Sequence, residues 1–336
     1  GLDTFGDMQN DDAGKPLHAA QVIRNVVDEA VLADSLGIDA FNIGEHHRDD
    51  FSVSAPDTVL AGIATRTSSI TLGTGVTVLS SDDPVRVYER FATLDALSHG
   101  RAEITAGRGS FIESFPLFGF SLDDYGVLFE EKLQILAELI KEGPTNWQGS
   151  IRTPLVNQHV YPKTEKGSIP VRVAVGGTPE SVVRAARMGM PLALAIIGGD
   201  PARFAPFAHL YRNRLEEFGK SLQPISIHSP GHIAESDELA MEQCWPQYQA
   251  LYSRIGRERG WAPTTKEHFL NEAQYGSLYV GSPETVARKI VYAIKEVGAQ
   301  RFDFKYANGP MPHSQLMKSI ELYGTRVIPL VKEMVG

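Results

Sequence analysis

The stretch from Ile70 to Gly109, ITLGTGVTVLSSDDPVRVYERFATLDALSHGRAEITAGRG, predicts a strand, a helix and a second strand in direct succession. Ile70 to Leu79 combines Ile, Val and Thr with few charges, which is typical of a parallel strand buried on both faces. Asp83 and Pro84 supply the cap and the first position of the helix, and Gly100 ends it. Because parallel strands joined by a helix are almost always right-handed, this stretch predicts one unit of an α/β barrel.

The rest of the chain repeats this plan, so that eight predicted strands alternate with eight helices. The predicted strands are residues 1–6, 39–44, 70–79, 101–106, 171–175, 192–197, 225–234 and 301–306. This order predicts an α/β fold of the (β/α)8 TIM-barrel class, with residues 1–336 as a single domain.

Two segments are longer than ordinary connections between a strand and a helix. Residues 143–169, after the fourth helix, are rich in Gly, Pro, Asn and Thr and predict a hairpin-like excursion. Residues 237–276, after the seventh strand, are charged and amphipathic and predict a helical insertion. Because insertions at a barrel mouth often cover the active site, the second segment could act as a lid.

The composition favours a small molecule as the main binding partner. The 336 residues carry a net charge of −9, whereas binding to nucleic acid or to an anionic membrane needs a basic face. Cys244 is the single cysteine, which excludes an intrachain disulfide and a cysteine-based metal site. Nothing in the sequence resembles a signal peptide or an 18-residue apolar span. We therefore expect a cytoplasmic protein without a metal, a membrane or a nucleic-acid partner.

Four histidines lie where barrel enzymes carry their chemistry, near the C-terminal ends of strands. In the Glu45-His46-His47 triplet after the second strand, side chains alternate, so the two histidines face opposite ways and cannot easily share a metal ion. His46 is a catalytic candidate because a histidine can transfer protons near neutral pH, the alternative being a structural histidine. His228 and His232 share one face of the seventh strand, and both could point into the lumen. We take His228 as a second catalytic candidate, against the alternative of a core or rim histidine.

Glycines and one arginine at two strand ends predict a phosphate pocket. Arg108 stands between two glycines after the fourth strand, where it can reach an anion; the alternative is a surface arginine in a turn. Gly176, Gly177 and Thr178 follow the fifth strand and open a helix, with Ser181 one turn later. The free amides at such a helix start favour a phosphate group.

Gly73 and Gly75 lie inside the predicted third strand, where a glycine loses backbone entropy and packs no side chain. They indicate that another backbone or a flat ligand approaches closely at this point. A bend in the barrel wall is the alternative interpretation.

Five segments resemble the bacterial luciferase-like family of flavin-dependent monooxygenases and its deazaflavin-dependent relatives. They are GEHH at Gly44 to His47, GTGVTVLSSDDPVRVYERFATLDALSHGR at Gly73 to Arg101, AGRG at Ala106 to Gly109, VAVGGTPESVVRAARMG at Val173 to Gly189, and VGSPETVARKI at Val280 to Ile290. Together they cover most of the predicted barrel. The LDALSHGR run and the EHH triplet are specific to the family, whereas many phosphate-binding barrels share the GG-helix segment.

The resemblance implies FMN or a related flavin in the barrel mouth, with its phosphate near Arg108. It also implies a non-prolyl cis peptide at Gly75-Val76 beneath the flavin ring, and a catalytic role for His46. Luciferase carries a reactive cysteine at the position of Gly107, so its aldehyde chemistry does not carry over. A homodimer formed through the helices after strands two and three is implied as well. The predicted cofactor-binding residues are Gly75, Val76, Gly107, Arg108, Gly176, Gly177, Thr178 and Ser181.

The first functional hypothesis is a monooxygenase that takes reduced FMN from a separate flavin reductase and uses O2 to oxygenate a small organic substrate. The absence of a G-x-G-x-x-G fingerprint for a nicotinamide cofactor fits a partner reductase. The second hypothesis is a deazaflavin-dependent hydride-transfer enzyme, against which the acidic composition weighs slightly because that coenzyme has an anionic tail. The third is a non-catalytic flavin-binding protein. The substrate depends on the insertion and on the aromatic run from Phe111 to Phe120, and the sequence does not identify it.

Overall fold

The computed structural model describes residues 1–109, 111–260 and 262–336. Its strands are β1 (Leu2–Thr4), β2 (Ala40–Ile43), β3 (Thr71–Thr74), β4 (Thr77–Val78), β5 (Ile104–Gly107), β6 (Thr145–Trp147), β7 (Leu155–Gln158), β8 (Val171–Val175), β9 (Leu192–Ala195), β10 (Ile225–Ile233), β11 (Tyr279–Gly281) and β12 (Arg301–Lys305). The α-helices are α1 (Ala19–Ser35), α2 (Pro56–Ala64), α3 (Pro84–Ser98), α4 (Ser114–Phe118), α5 (Tyr125–Leu139), α6 (Pro179–Met188), α7 (Ala205–Glu217), α8 (Asp237–Arg259), α9 (Lys266–Tyr275), α10 (Pro283–Val297), α11 (His313–Leu322) and α12 (Ile328–Val335).

The strands form the predicted α/β barrel. Parallel strands pair in the order β3-β2-β1-β12-β10-β9-β8-β5-β4. Since β3 and β4 are two parts of one predicted strand, interrupted only at residues 75–76, the path returns to its starting point and eight strand positions surround the lumen. The (β/α)8 prediction is confirmed.

Local chemistry sets the ends of the elements. Helix α3 begins because Asp83 Oδ1 accepts hydrogen bonds from the amides of Val85 at 2.8 Å and Arg86 at 3.3 Å. It ends at His99 and Gly100, which both have positive φ angles, of 56° and 76°. The predicted unit at residues 70–109 is therefore a strand, a capped helix and a strand, as its sequence requires.

Both predicted insertions are present. Strands β6 and β7 form an antiparallel hairpin after α5. After β10 the chain forms α8 and α9, which enclose a separate cluster of apolar side chains. Its buried members include Ala240, Cys244, Tyr248, Phe269 and Ala273. The short strand β11, which pairs with the end of β10, was not expected from the sequence.

Two arginines and two carboxylates form an ion-pair network inside the barrel. Arg172 donates to Glu103 Oε1 at 3.0 Å and to Asp303 Oδ2 at 2.8 Å, and Arg301 also binds both carboxylates. Burial alone would raise the pKa of Asp303, but Arg301 and Arg172 outweigh it and hold that pKa well below its usual range. Because buried charges need such partners, this network fixes the strands around it. No helix in the described part of the chain is long and apolar enough to cross a membrane.

Candidate active site

A cavity of about 530 Å³ opens at the C-terminal ends of the barrel strands. The predicted residues that line it are His46, Gly75, Val76, Gly107, Arg108, Gly176, Thr178 and His228. Gly177 and Ser181 are not part of the wall, although Ser181 contacts Arg108 from behind it. The structure thus brings residues from five strand positions to one cavity, in the place where barrel enzymes have their sites.

One end of the cavity, the Arg108 end, consists of Arg108, Thr178, Ser181 and the start of α6. Arg108 Nη2 donates to Ser181 Oγ at 3.1 Å, and Thr178 Oγ1 lies 2.7 Å from the same oxygen. The guanidinium also lies 5.0 Å from the centre of the Tyr125 ring, which restricts its position. Since β8 ends at Val175 and α6 begins at Pro179, the free amides of the helix start lie beside this cation. The arrangement is suited to an anion.

The opposite end, the aromatic end, consists of Phe5, His46, Phe51 and Phe111 together with cavity-lining residues of α8. The His46 ring stacks on Phe51 at a centroid distance of 4.4 Å and meets the edges of Phe5 at 4.5 Å and Phe111 at 5.2 Å. Helix α8 closes this end with Leu251, Tyr252 and Ile255. Burial, assisted by the charges of Lys305 and Arg48, lowers the pKa of His46 to about 3. The imidazole is therefore neutral at physiological pH.

The other histidines of the prediction have different surroundings. His47 Nε2 lies 2.9 Å from Glu45 Oε1, so these two side chains share a face, as alternation predicts. His232 does not line the cavity; it is buried and contacts Gln243 of α8 at 2.8 Å. Of the two interpretations of this pair, the lumen-facing one applies to His228, which lines the cavity, and the core-histidine alternative applies to His232. Its backbone lies where β10 pairs with β11, beyond the part of the strand that lines the cavity.

Two buried pairs of ionisable side chains, Asp3 with His228 and Asp7 with Lys305, lie beside the cavity. Asp3 Oδ2 lies 3.2 Å from His228 Nδ1, and the Asp3 side chain is only 3% exposed. Burial raises the pKa of the Asp3 carboxyl, and the interaction with His228 opposes this only in part. Lys305 Nζ binds both oxygens of Asp7 at 3.1 Å, and it lies 4.6 Å from the centre of the Phe5 ring.

The in-strand glycines allow side chains, not another backbone, to approach the chain. A Cβ atom on Gly75 would overlap the Asp3 carboxylate, and one on Gly73 would lie 2.6 Å from Asn42 Oδ1. Polar side chains, and not another backbone, therefore lie against these two glycines. A ligand next to Gly75 remains a prediction. The peptide bond between Gly75 and Val76 is cis, at the position that the family resemblance implies.

Val76 of the Gly75–Val76 segment leaves no room for a side chain at Gly107. A Cβ atom at this position would lie 2.6 Å from Val76 Cγ2, so a cysteine does not fit here without movement of Val76. The difference from luciferase at this residue is thus built into the packing of the cavity wall.

Arg48 connects three segments across the mouth. It donates to Asp50 at 2.9 Å, to Glu113 at 2.8 Å and to Glu258 of α8 at 2.7 Å. Arg254 of α8 forms a second ion pair, with Asp49 of the same loop. These ion pairs attach the C-terminal part of α8 to the loop that follows β2. Within the described residues, no group of three His, Cys, Asp or Glu side chains is placed to hold a metal ion.

Sequence reasoning did not single out Asp3, Thr105 and Arg172, which also line the cavity. Thr105 and Arg172 are each the one polar residue of a short strand, and Asp3 shares β1 with a second buried polar residue, Thr4. That pattern was a usable signal, because a polar side chain in a buried strand needs a partner inside the lumen.

Comparisons with known proteins agree with this geometry. The sequence model of the luciferase-like monooxygenase family matches residues 5–301. The alkanal monooxygenase alpha chain of Photobacterium leiognathi is 24% identical over 344 residues, covering 93% of this chain and 94% of that protein.

Three solved structures share the fold. Monooxygenase RslO1 from Streptomyces bottropensis has a TM-score of 0.83 at 24% identity, with 98% of both chains covered. The oxygenating constituent of 3,6-diketocamphane monooxygenase from Pseudomonas putida, a type II Baeyer-Villiger enzyme in complex with FMN, has a TM-score of 0.77 at 18% identity, with 98% of this chain and 97% of that chain covered. The coenzyme F420-dependent tetrahydromethanopterin reductase of Methanopyrus kandleri has a TM-score of 0.72 at 19% identity, with the same coverage. With the family match over nearly the whole chain, the barrel and its cavity identify this protein as a member of the luciferase-like monooxygenase family.

Proposed function

We propose that this protein is an FMN-dependent monooxygenase that receives reduced FMN from a separate flavin reductase and uses O2 to oxygenate a small organic substrate. The observation that carries the proposal is the Arg108 end of the cavity. A cation hydrogen-bonded to Ser181 beside the start of α6 supplies the donors that a phosphate monoester requires. The flavin, when bound, supplies the redox chemistry and the reaction with oxygen.

In this proposal the residues of the chain bind the flavin and orient the flavin and the substrate. Arg108, Thr178 and Ser181 would hold the phosphate, and the wall at Gly75, Val76 and Gly107 would support the ring. His46, which is neutral and held among three aromatic rings, is available to donate or accept one hydrogen bond on the substrate side. The apolar side chains of α8 exclude water from that side. A homodimer remains part of the proposal because of the family resemblance.

The alternative is hydride transfer with a deazaflavin coenzyme, which is suggested by the likeness of the fold to the coenzyme F420-dependent tetrahydromethanopterin reductase of Methanopyrus kandleri. Both cofactors carry a phosphate, so the Arg108 end alone does not separate them. The net charge of −9 weighs against the anionic tail of the deazaflavin coenzyme.

An anaerobic titration of the full-length protein with each reduced cofactor tests the proposal. We expect tighter binding of reduced FMN than of the reduced deazaflavin coenzyme. An equal or inverted preference would support the hydride-transfer alternative. If reduced FMN binds but its reoxidation by O2 never yields an oxygenated product with any substrate tested, the non-catalytic flavin-binding hypothesis is the better one.

A further inference from the structure

Four polar side-chain atoms of the cavity wall are buried without a hydrogen-bond partner among the residues that the structure describes: Ser114 Oγ on α4 and three atoms on the barrel strands. These three are Asp3 Oδ1, Thr105 Oγ1 and Arg172 Nε. An unpaired buried polar atom costs about 1 to 3 kcal/mol, and native proteins contain few of them. The three atoms on the barrel strands border one lumen, and together they indicate a ligand that supplies the missing partners.

The three atoms face the lumen from opposite sides of the barrel. Asp3 lies on β1, whereas Thr105 and Arg172 are register neighbours on β5 and β8. In the strand order, β8 is the fourth position from β1 in either direction around the barrel. A ligand edge that enters the lumen between these strands would meet an acceptor on one side and donors on the other.

The chemistry of the three atoms defines that edge. Asp3 Oδ1 is an acceptor when the carboxyl is ionised or when its proton lies on the His228 side, because Oδ2 is the oxygen that contacts His228. Arg172 Nε can only donate, and the Thr105 hydroxyl can donate or accept. A ligand edge with an N–H and a carbonyl oxygen beside it is complementary to this arrangement, and the cyclic imide of a flavin ring offers one.

We propose that Asp3, held by His228, accepts a hydrogen bond from the imide N–H of the bound flavin ring, while Arg172 and Thr105, across the lumen, donate to one carbonyl oxygen beside that N–H. This inference rests on the proposed function, since it places the flavin in this cavity. The position of Asp3 supports it, because the carboxylate packs against Gly75 beside the segment that is expected to support the ring. The imide N–H is also the single ring N–H that oxidised FMN offers.

The test compares the binding of oxidised FMN and of FMN methylated at the imide nitrogen, measured by quenching of flavin fluorescence. Wild-type protein should bind FMN roughly ten- to a hundredfold more tightly than the methylated flavin, as expected for one hydrogen bond to a charged group. Asp3→Leu has a similar volume but no acceptor, so FMN should bind to it no more than about threefold more tightly than the analogue.

Two further variants control the comparison. Asp3→Asn can keep an oxygen toward the ligand, and it should retain much of the preference. Ser114→Ala removes another unpaired buried hydroxyl of the same cavity wall, on α4, and should retain all of it.

Two results would overturn the inference while leaving the proposed function intact. Equal binding of the two flavins by wild-type protein would show that the imide N–H is not recognised, and this measurement does not depend on any variant. An undiminished preference in Asp3→Leu would show that the methyl group is excluded by shape alone. If neither flavin binds in either redox state, the proposed function fails together with this inference.

Discussion

The two ends of the cavity differ in the charge of their central side chain: Arg108 at one end is a cation, and His46 at the other is neutral. At the Arg108 end a cation, two hydroxyl groups and the start of α6 lie together, and Gly176 and Thr178 beside them are exposed to solvent. At the aromatic end the rings of Phe5, Phe51 and Phe111 surround a histidine that is kept neutral. The cavity therefore has a cationic, hydroxyl-rich region at one end and an aromatic region at the other. Because the two regions share no residues, we expect mutations at the Arg108 end to change the affinity for a cofactor phosphate and mutations at the aromatic end to change the reaction with a substrate.

The largest expected effect is on turnover. His46→Ala should retain flavin affinity and lower the rate of single-turnover oxygenation by a factor of about 10² to 10⁴, the usual range for a positioned proton-transfer group. The rate would be measured with reduced, flavin-loaded protein and a substrate found by screening. His47→Ala is the matched control; because His47 binds Glu45, it should affect stability more than rate. Unchanged oxygenation by His46→Ala would remove this residue from the mechanism and favour the non-catalytic hypothesis.

The second effect concerns pH and stability. His46 has a pKa of about 3 in the folded protein and an ordinary value near 6.5 when unfolded, so the unfolded state binds more protons between these values. The free energy of unfolding should therefore fall as pH decreases, and the part due to His46 should be about 3 kcal/mol between pH 7 and pH 4. Urea titrations of wild type and His46→Phe at both pH values measure it as a difference. A loss of the same size in both proteins would show that His46 is not held neutral by the aromatic end.

The third effect is on cofactor affinity. Arg108→Ala removes a charge-assisted hydrogen bond worth about 1.5 to 3 kcal/mol, so FMN should bind roughly ten- to a hundredfold more weakly. Riboflavin, which lacks the phosphate, should bind equally to wild type and variant. An equal loss of riboflavin binding would show that Arg108 acts on the flavin ring or on the fold and not on the phosphate. The Arg108 end would then not be a separate phosphate site.

The difference between the two ends also explains what could be predicted from the sequence. The Arg108 end comes from two short segments, each with a local signal: an arginine between glycines, and a glycine pair followed by Thr178 and Pro179 at the start of a helix. The barrel itself was predictable because each strand and helix carries its own periodicity. The aromatic end consists of Phe5, Phe51, Phe111 and residues of α8, which lie far apart in the chain. No local pattern relates them, since only closure of the barrel brings them together.

Asp3 and His232 show the same limit in another form. Asp3 is one acid in a strand of three residues, and its burial depends on β10, which lies more than 200 residues later in the chain. His232 satisfies the alternation that would turn it toward the lumen, but the pairing of β10 with β11 and the contact with Gln243 of α8 determine its surroundings. Neither β11 nor the path of α8 could be derived from periodicity.

The insertion after β10 has a consequence for how this protein can diversify. Helices α8 and α9 enclose their own apolar cluster, which is separate from the barrel core, and α8 reaches the cavity only at the aromatic end. The interior of this segment can therefore change by mutation or recombination without repacking the strands that hold the Arg108 end. Under the proposed function, changes within residues 237–276 would alter the range of accepted substrates without altering the residues proposed to bind the cofactor phosphate.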